Sequence, residues 1–403
     1  KNLDARMSNT QGFTSSGEYQ EFWNCNASFN GRDGFYFIKN AVTAPGAQYN
    51  RAINCTAIFN VIGGTGFGQG ITVETPYTWI INTTSSNNGM AGIDFLDYNS
   101  QTDVHHSGAY NCKTINNGLS STTVNNYDPG IYVDGGRDIL IYRCEIGNNG
   151  MATNKVQLYP GPGISIDVEP FGYSYGKRPN NINIVDSVSY NNRGEALRIG
   201  DINGGQSATM AISNVRVLNS AFQRAIDSSN SDAATSGLGY FTRTVKFRGS
   251  SISFKNNMVH TSLSGRSSLY TNETSTESTL SSDNNIIFNS SSSLVAQIYN
   301  VGSYTLAQWQ ARGHDLSSTT SDPSVSADPT TFINTRVSQI PAADPNNPPT
   351  LDTLLSLLAQ YSSGSTPVVS PSPSPSPSPS SAPDTTAPST PAGPSVAVSG
   401  SQV

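Results

Sequence analysis

The sequence predicts an all-β fold, a right-handed parallel β-helix in which short strands wind into a solenoid. Three observations support this prediction: an internal repeat of about 30 residues, short strands of alternating apolar residues, and a composition poor in charge. Only 12% of the 403 residues are charged, against a usual ~25%, and Gly, Asn, Ser and Thr are abundant. A helical repeat would be rich in Ala, Glu, Lys and Leu, and a membrane protein would contain about 20 consecutive apolar residues. Both classes are excluded.

The repeat is marked by a Cys, Ser or Thr, followed four and five residues later by an Asn pair or by Phe-Asn. Successive anchors are 30, 28, 29, 32 and 43 residues apart. Asn is favoured in tight turns, so we expect each coil to turn at this point. The anchors are Cys25, Cys55, Thr83, Cys112, Cys144 and Ser187.

Each anchor leads into a short strand that begins Gly-apolar-x-apolar. Side chains alternate along a strand, so the apolar residues point inward, whereas the x residue and the residue two positions later point to solvent. Equivalent positions of neighbouring coils stack ~4.8 Å apart. These strands begin at Gly34, Gly70, Gly92, Gly130 and Gly163, and the sixth coil has Ala196-Leu197 instead.

The four cysteines occupy one register of the repeat, at the anchor positions. Equivalent sites in adjacent coils predict an inward-facing stack of buried thiols rather than disulfides. Metal binding by these thiols is not expected, because no Cys-x-x-Cys spacing or neighbouring His accompanies them.

Two short helices are predicted towards the C-terminus. Thr305 can cap a helix over 306–312, and Thr350 can cap a helix over 351–361 whose leucines at 351, 354, 355 and 358 share one face. We expect such a helix to cover the open end of the solenoid, which would otherwise expose unpaired strand edges.

Composition changes near residue 340, and Ser and Pro alternate over 370–380. This pattern predicts a disordered, extended linker that cannot bury a core. The last segment, DTTAPSTPAGPSVAVSGSQV, resembles the opening strand of a bacterial fibronectin type III domain. The predicted organisation is a β-helix over 1–340, a capping segment over 341–363, a Ser/Pro-rich linker over 364–383 and a truncated fibronectin-like start over 384–403.

The charge balance limits the partners. The net charge is −6 and the isoelectric point is near 5.2, and no basic run is present, so neither nucleic acid nor an anionic membrane surface is expected as a partner. The first residue is Lys1, and no charged and apolar leader follows it, so we expect a trimmed N-terminus. A polyanionic partner would need a cation or a few well-placed Arg and Lys.

Acidic residues recur at the positions that should face outward. Stacking would gather them on one face of a chain that is otherwise poor in charge. Like charges at this spacing repel, so the arrangement favours a bound cation or protonated carboxyls, although a solvated acidic face is also possible. The gathered residues are Glu74, Asp94, Asp134, Asp167, Glu169, Asp201 and Arg198.

A long insertion lies beside this face. Residues 150–181 extend one coil to 43 residues and should build one wall of a cleft. Aromatic rings beside carboxylates suit sugars, since rings stack on CH faces and carboxylates accept hydrogen bonds from hydroxyls. The predicted substrate is therefore a polysaccharide. The predicted substrate-binding residues are Tyr132, Tyr173, Tyr175, Lys177, Arg178, Glu74 and Asp94.

Three segments, DPGIYVDGGRDILIYRCEIGNN (128–149), GPGISIDVEP (161–170) and NINIVDSVSYNNRGEALRIGD (181–201), resemble the bacterial right-handed parallel β-helix repeat proteins related to pectate lyases. NGRDGFYF (30–37) is similar to a coil of one calcium-dependent pectate lyase family, but Tyr36 and Gly68 stand where that family has Asp and Lys. The resemblance implies the fold over about residues 20–300 and does not specify the reaction.

The leading hypothesis is a secreted lyase that cleaves a uronate-containing glycan by β-elimination, with Ca²⁺ neutralising the uronate carboxylate. Two alternatives remain: a glycoside hydrolase with an acid-base carboxyl pair, and a non-catalytic glycan-binding adhesin or stalk. We expect a monomer. The predicted catalytic residues are Asp134, Asp167, Glu169 and Arg198, and the predicted calcium ligands are Asp134, Asp167, Glu169 and Asp201.

Overall fold

Three long β-sheets run along the computed structural model, and the chain visits each of them once per coil. Neighbouring strands of the described residues are parallel, except for one antiparallel pair at the C-terminal end. The described chain is therefore the right-handed parallel β-helix that the repeat predicts. The structure describes residues 1–39, 46–60, 69–119, 128–150, 161–200, 212–224, 243–262, 266–271, 274–321 and 325–363.

We name the sheets A, B and C in the order in which the chain enters them. Sheet A contains β1 (Asp4–Arg6), β4 (Asn26–Ser28), β7 (Thr56–Ile58), β10 (Thr84–Ser86), β13 (Lys113–Ile115), β16 (Glu145–Gly147), β19 (Val188–Tyr190), β22 (Ala221–Arg224), β25 (Met258–Thr261) and β28 (Ile286–Asn289). Sheet B contains β2 (Phe13–Ser15), β5 (Phe35–Phe37), β8 (Ile71–Val73), β11 (Ile93–Leu96), β14 (Ile131–Asp134), β17 (Ile164–Asp167), β20 (Leu197–Ile199), β23 (Val245–Phe247), β26 (Leu269–Thr271), β29 (Leu294–Ile298) and β30 (Gly302–Thr305). Sheet C contains β3 (Glu21–Trp23), β6 (Arg51–Ile53), β9 (Trp79–Ile81), β12 (His105–Tyr110), β15 (Arg137–Tyr142), β18 (Asn180–Val185), β21 (Ser213–Leu218), β24 (Ser250–Lys255) and β27 (Leu280–Asp283).

Short helices accompany the strands. The described helices are α1 (Pro170–Ser174), α2 (Thr274–Glu277), α3 (Leu306–Gln310), α4 (Pro329–Ser338) and α5 (Leu351–Ser362).

Apolar side chains from all three sheets fill the interior of the solenoid. The Gly-apolar-x-apolar strands lie in sheet B, and their first apolar residues stack in register from coil to coil. Fully burying one such side chain contributes roughly 1.5–3 kcal/mol. A slip of one residue would turn the apolar row outward, so the alternating pattern specifies the register. The stacked residues are Phe35, Ile71, Ile93, Ile131, Ile164 and Leu197, each with 0% of its surface exposed.

The predicted thiol ladder is confirmed. Cys25, Cys55, Cys112 and Cys144, which all lie in the described ranges, are buried and form no disulfide. The Cys25 backbone N–H donates to Cys55 Sγ at 3.4 Å, so the column is held together by coil-to-coil contacts. Burial raises the pKa of Cys55 to about 12, which leaves the thiol unreactive near neutral pH.

The Asn pairs stand at turns, as predicted, and their two residues have different roles. The first residue of each pair has a φ between 48° and 59°, the left-handed conformation that Asn tolerates. The second residue is buried and joins neighbouring coils. Asn60 Nδ2 donates to Asn88 Oδ1 at 3.0 Å and to the Ala27 carbonyl at 3.1 Å. The buried residues are Asn30, Asn60, Asn88, Asn117, Asn149 and Asn192.

Helix α3 begins at the predicted cap, Thr305, whose side chain accepts from the Gln308 N–H in a capping box. It ends at Gln310, two residues earlier than predicted. Its Trp309 is fully buried, and the helix contacts β29 and β30. This helix therefore lies against the last strands of sheet B.

The expectation that the helix over 351–361 covers the open end is wrong. Helix α5 has the predicted cap, Thr350, but packs against β15 and β18 in the middle of sheet C. Its Leu354, Leu358 and Tyr361 cover outward-facing Leu140 and neighbouring apolar residues. The physical reason lies in the strand sequence, because the run Ile-Leu-Ile-Tyr of β15 is apolar on both faces and needs cover on both.

Helix α4 was not predicted. Asp328 caps it by accepting from the Thr331 N–H at 2.7 Å, and the helix packs against β19 and β22 of sheet A. Helix α4 lies within 1–340, the range that the sequence predicts to be the solenoid. The domain boundary at residue 340 stays a prediction.

The described residues belong to one unit. The predicted linker and fibronectin-like segment, 364–403, lie outside the described residues. Among the described helices, none is long and apolar enough to cross a membrane.

Candidate active site

Sheet B arranges half of the predicted site residues in two outward columns. In the first column, Asp94 lies in register beside Tyr132, and Ser165 lies beside Arg198. In the second column, Asp134 lies beside Asp167. The first column is Tyr36, Thr72, Asp94, Tyr132, Ser165, Arg198, Lys246 and Tyr270, and the second is Glu74, Leu96, Asp134, Asp167, Gly200 and Arg248.

The expectation that these side chains face open solvent is wrong for most of them. Asp94 is 2% exposed, Asp134 1%, Asp167 0% and Arg198 0%. Glu169 differs from them because it is exposed. In these coils, the polar side chains on the outward face of sheet B are therefore buried. Glu169 is exposed next to them.

Segments that directly follow the strands of sheet B cover part of the two columns. After β17, the backbone turns back over the preceding coil, where the Glu169 N–H donates to Asp134 Oδ1 at 3.0 Å. Helix α1 follows directly, and its Gly172 lies close to Tyr98 and Asp97 of an earlier coil. Sequence alternation predicted the direction of each side chain, but not the segment that lies on top of it.

Burial and mutual repulsion raise the pKa values of these carboxyls. For Asp94 and Asp134, desolvation raises the pKa well above its usual range, and the charge of Glu169 adds to the effect. Desolvation also raises the pKa of Glu169. Within the part of the chain that the structure describes, Asp94 Oδ1 and Asp134 Oδ2 are buried without a hydrogen-bond partner. The raised pKa values favour the protonated forms of these carboxyls.

A second group of carboxyls lies further towards the N-terminus. Desolvation raises the pKa of Glu74 to about 7, while the Tyr36 hydroxyl donates to Glu74 Oε1 at 2.7 Å. Asp33, which the sequence reasoning did not include, is buried and accepts from the Thr72 hydroxyl at 2.5 Å. Burial raises the pKa of Asp33 as well.

The charged residue of the first column before β17 is acidic, and those after β17 are basic. Arg198 is fully buried and forms an ion pair with Glu195, with Nη2 to Oε2 at 2.9 Å. Lys246 lies beside Arg198 in register and is 4% exposed. Desolvation lowers the pKa of Lys246 to about 8, and the charge of Arg198 adds to the effect. Sequence reasoning missed Lys246, although Val245-Lys246-Phe247 repeats the apolar-x-apolar pattern and would have indicated it.

Residues of the long insertion have local partners. Lys177 Nζ lies 2.6 Å from Asp97 Oδ1 and donates to the Thr102 carbonyl, so it is held by an earlier coil. The Arg178 guanidinium lies 3.6 Å from the centre of the Tyr173 ring. Tyr175 is 47% exposed, close to Glu169 in the chain. The placement of these rings beside the Glu169 carboxyl stays a prediction.

The described residues alone do not form a calcium site. Within the described ranges, no group of three Asp, Glu, His or Cys side chains is arranged to hold a metal ion. Asp201, the fourth predicted ligand, lies outside the described residues. Calcium binding therefore stays a prediction.

No protein-family model and no curated protein matches the sequence. Solved structures with a similar chain path include a point mutant of the periplasmic alginate epimerase AlgG, at 12% identity and a TM-score of 0.34 over 56% of this chain and 48% of that one. Pectate lyase Pel9A matches at 11% identity and a TM-score of 0.32, over 74% of this chain and 69% of that one.

The surface adhesin PfbA of Streptococcus pneumoniae matches at 11% identity and a TM-score of 0.41, over 74% of this chain and 65% of that one. This chain spans about half the length of the epimerase. These values carry no argument about the reaction, which has to be argued from the residues of this chain.

Proposed function

We propose that this chain is a secreted polysaccharide lyase that cleaves a uronate-containing glycan by β-elimination. The supporting observation is that four successive strands of sheet B, β14, β17, β20 and β23, carry carboxyls with raised pKa values at one side and a lysine with a lowered pKa at the other. Environments that push pKa values apart in this way are typical of acid-base sites. A polysaccharide is accordingly the proposed partner. Secretion is also part of the proposal.

The reaction needs a base, a neutralising charge and an acid. Lys246 is the proposed base, because a pKa of about 8 provides neutral amine at mildly alkaline pH. It removes the proton from C5 of the uronate, the electron pair forms the C4–C5 double bond, and the bond from C4 to the glycosidic oxygen breaks. Glu169, whose raised pKa favours the protonated form, delivers a proton to the departing oxygen.

The positive charges next to the base stabilise the transition state. As the C5 proton leaves, negative charge builds up on the uronate carboxylate, and Arg198 lies in the coil beside Lys246. In a poorly hydrated site such a charge acts more strongly than in water. Asp134 accepts from the backbone N–H of Glu169 and so positions this acid. The rings of Tyr173 and Tyr175 offer stacking surfaces for sugar.

The test compares Lys246→Met with a matched control, Lys113→Met, whose ion pair with Glu145 lies on sheet A. Ultraviolet absorbance of the unsaturated product is followed over a panel of uronate polymers. We expect Lys246→Met to reduce kcat at least about 100-fold and Lys113→Met to change it little. A parallel series with chelator tests the calcium prediction. If no uronate polymer gives an unsaturated product, the lyase proposal is wrong.

A glycoside hydrolase is the second candidate. It is favoured by the position of Glu169, whose backbone N–H donates to Asp134 Oδ1 and whose charge raises the pKa of that buried carboxyl. One protonated and one ionised carboxyl could act as acid and base without Lys246. Reducing sugar released without unsaturated ends, and retained in Lys246→Met, would select the hydrolase. Binding without any cleavage would instead select the adhesin or stalk.

A further inference from the structure

Two histidines stand side by side at the corner where the chain passes from sheet B to sheet C. Strand β12 begins at His105, and His106 follows with a φ of 51°, in the left-handed region. In an extended strand, consecutive side chains point to opposite faces. The turn at His106 instead brings the two imidazoles together, and their Nδ1 atoms lie 2.8 Å apart.

Neighbouring side chains orient both rings. The ring of Tyr77, one coil earlier, stacks on the His106 ring with centroids 5.1 Å apart, and it meets the His105 ring edge to face at the same distance. His105 Nε2 lies 3.6 Å from Asp103 Oδ2. Asp103 is itself held by two ion pairs, to Lys39 Nζ at 3.2 Å and to Arg137 Nη2 at 3.0 Å. The contact between the two Nδ1 atoms is therefore built from several directions.

A carboxylate lies next to the pair in the following coil. Asp138 Oδ2 is 3.7 Å from His106 Nδ1, and both side chains are partly exposed. Asn181 Nδ2 donates to the other oxygen, Asp138 Oδ1, at 2.6 Å. This hydrogen bond fixes the carboxylate with Oδ2 towards the imidazole. A cation placed at the two Nδ1 atoms would be attracted by this charge.

The distance between the two nitrogens suits one ion bound to both. Metal–imidazole bonds are about 2.0–2.1 Å long, so nitrogens 2.8 Å apart would subtend an angle of about 85° at a shared metal. This angle is close to the right angle of square-planar and octahedral coordination, and it is well below the tetrahedral angle of zinc sites. Without a metal, one Nδ1 has to carry a proton and donate it to the other, so a metal ion would replace that proton.

We propose that His105 Nδ1 and His106 Nδ1 together bind a divalent transition metal ion, with Cu²⁺ bound most tightly. Cu²⁺ has the highest affinity of the first-row divalent metals for nitrogen sites, and it favours tetragonal coordination. Ca²⁺ and Mg²⁺ are not expected here, since they prefer oxygen ligands. The two imidazoles fill two positions, and water would complete the coordination, because the described residues form no metal-binding group of three side chains.

Titration of the metal-free chain with Cu²⁺ tests the proposal. Isothermal titration calorimetry should show one site, and electron paramagnetic resonance of the bound Cu²⁺ should show two nitrogen ligands. Ni²⁺ should bind to the same site more weakly, in the general order of divalent metals. Ca²⁺ should not compete with Cu²⁺ for it.

Three variants identify the ligands. His106→Asn removes one imidazole and keeps a residue type that tolerates the left-handed turn. It should weaken Cu²⁺ binding at least about 100-fold, because loss of a ligand costs more than loss of an outer partner. Asp138→Asn should weaken binding about tenfold and retain both nitrogens in the spectrum. Tyr49→Asn is the matched control, since Tyr49 occupies the same register of this corner two coils before His106, with a φ of 58°, and it should change binding little.

Absence of Cu²⁺ binding by the unmodified chain would overturn the proposal, and so would equal binding by His106→Asn. Either result would leave the histidine pair as a hydrogen-bonded contact. Tighter binding of Ca²⁺ than of Cu²⁺ would also contradict it. These measurements report on metal bound to imidazole nitrogens and do not depend on the assay for unsaturated product, so this proposal and the lyase proposal can fail separately.

Discussion

At the scale of single residues, position in the coil decides what each carboxyl can do. Glu169 reaches solvent, whereas Asp134 and Asp167 lie buried below it in adjacent strands. A buried carboxyl that is close to others raises the proton affinity of the exposed one, because all of them cannot be charged together. Glu169 is therefore the carboxyl best placed to exchange a proton with a bound sugar.

This placement predicts the effect of two isosteric substitutions. Glu169→Gln and Asp167→Asn should each reduce turnover by at least about 100-fold, since they remove an acid or a charge while keeping the shape. Neither should lower the melting temperature, because each relieves repulsion among neighbouring carboxyls. Steady-state kinetics and thermal unfolding measure both effects, with Glu18→Gln as the control. Near-normal activity in both variants would mean that the acidic columns are structural.

At the scale of secondary-structure elements, helix α5 shows how the outer faces of the sheets are covered. Leu354, Leu358 and Tyr361 of this helix pack on sheet C, and Asn181 Nδ2 donates to Ser362 Oγ at 2.9 Å. Leu355, which the helical spacing placed on the same face, is only partly buried and belongs to none of the described apolar clusters. The contact surface of α5 is thus rotated from the predicted one.

Two alanine substitutions distinguish the observed face from the predicted one. Leu358→Ala removes a side chain that is 3% exposed and should lower the free energy of unfolding by about 2–5 kcal/mol. Leu355→Ala should cost less than half as much, because that side chain already contacts solvent. Chemical denaturation measures both. Equal losses in the two variants would contradict the packing of α5.

At the scale of the whole molecule, the buried carboxyls link stability to pH. The pKa of Glu74 is raised to about 7, and those of Asp33, Asp94, Asp97 and Asp134 are also raised, chiefly by desolvation. The folded protein therefore binds more protons than the unfolded chain at mildly acidic pH. A raised pKa stabilises the fold below the unfolded value, and this contribution is lost as the pH rises through the folded value.

We therefore expect a higher melting temperature at pH 5.5 than at pH 8. For Glu74 alone, a pKa near 7 instead of 4.5 corresponds to about 2 kcal/mol lost between pH 5.5 and pH 8. Lys246 acts in the opposite direction, but mainly between its folded pKa of about 8 and its ordinary value of 10.5. Calorimetry across the pH range tests this, and Glu74→Gln should flatten the profile. A melting temperature that rises steadily from pH 5.5 to pH 8 would show that these carboxyls stay charged in the fold.

The fold could be predicted from the sequence because its causes are local and repeated. The spacing of Cys25, Cys55 and later anchors sets one coil per repeat, and the alternation in strands such as Ile131–Asp134 sets which side chains point inward. Identical coils then stack in register, since any other register would turn apolar residues outward. Periodicity alone was therefore enough for the solenoid, the thiol ladder and the Asn turns.

The candidate site depended on contacts between segments far apart in the chain. Alternation placed Asp94 and Asp134 in outward columns, but only the tertiary structure shows that neighbouring segments bury them and that Glu169 remains exposed. The same holds for α5, which covers sheet C because both faces of β15 are apolar. Burial depends on what the rest of the chain places on top of a residue, and burial is what shifts these pKa values.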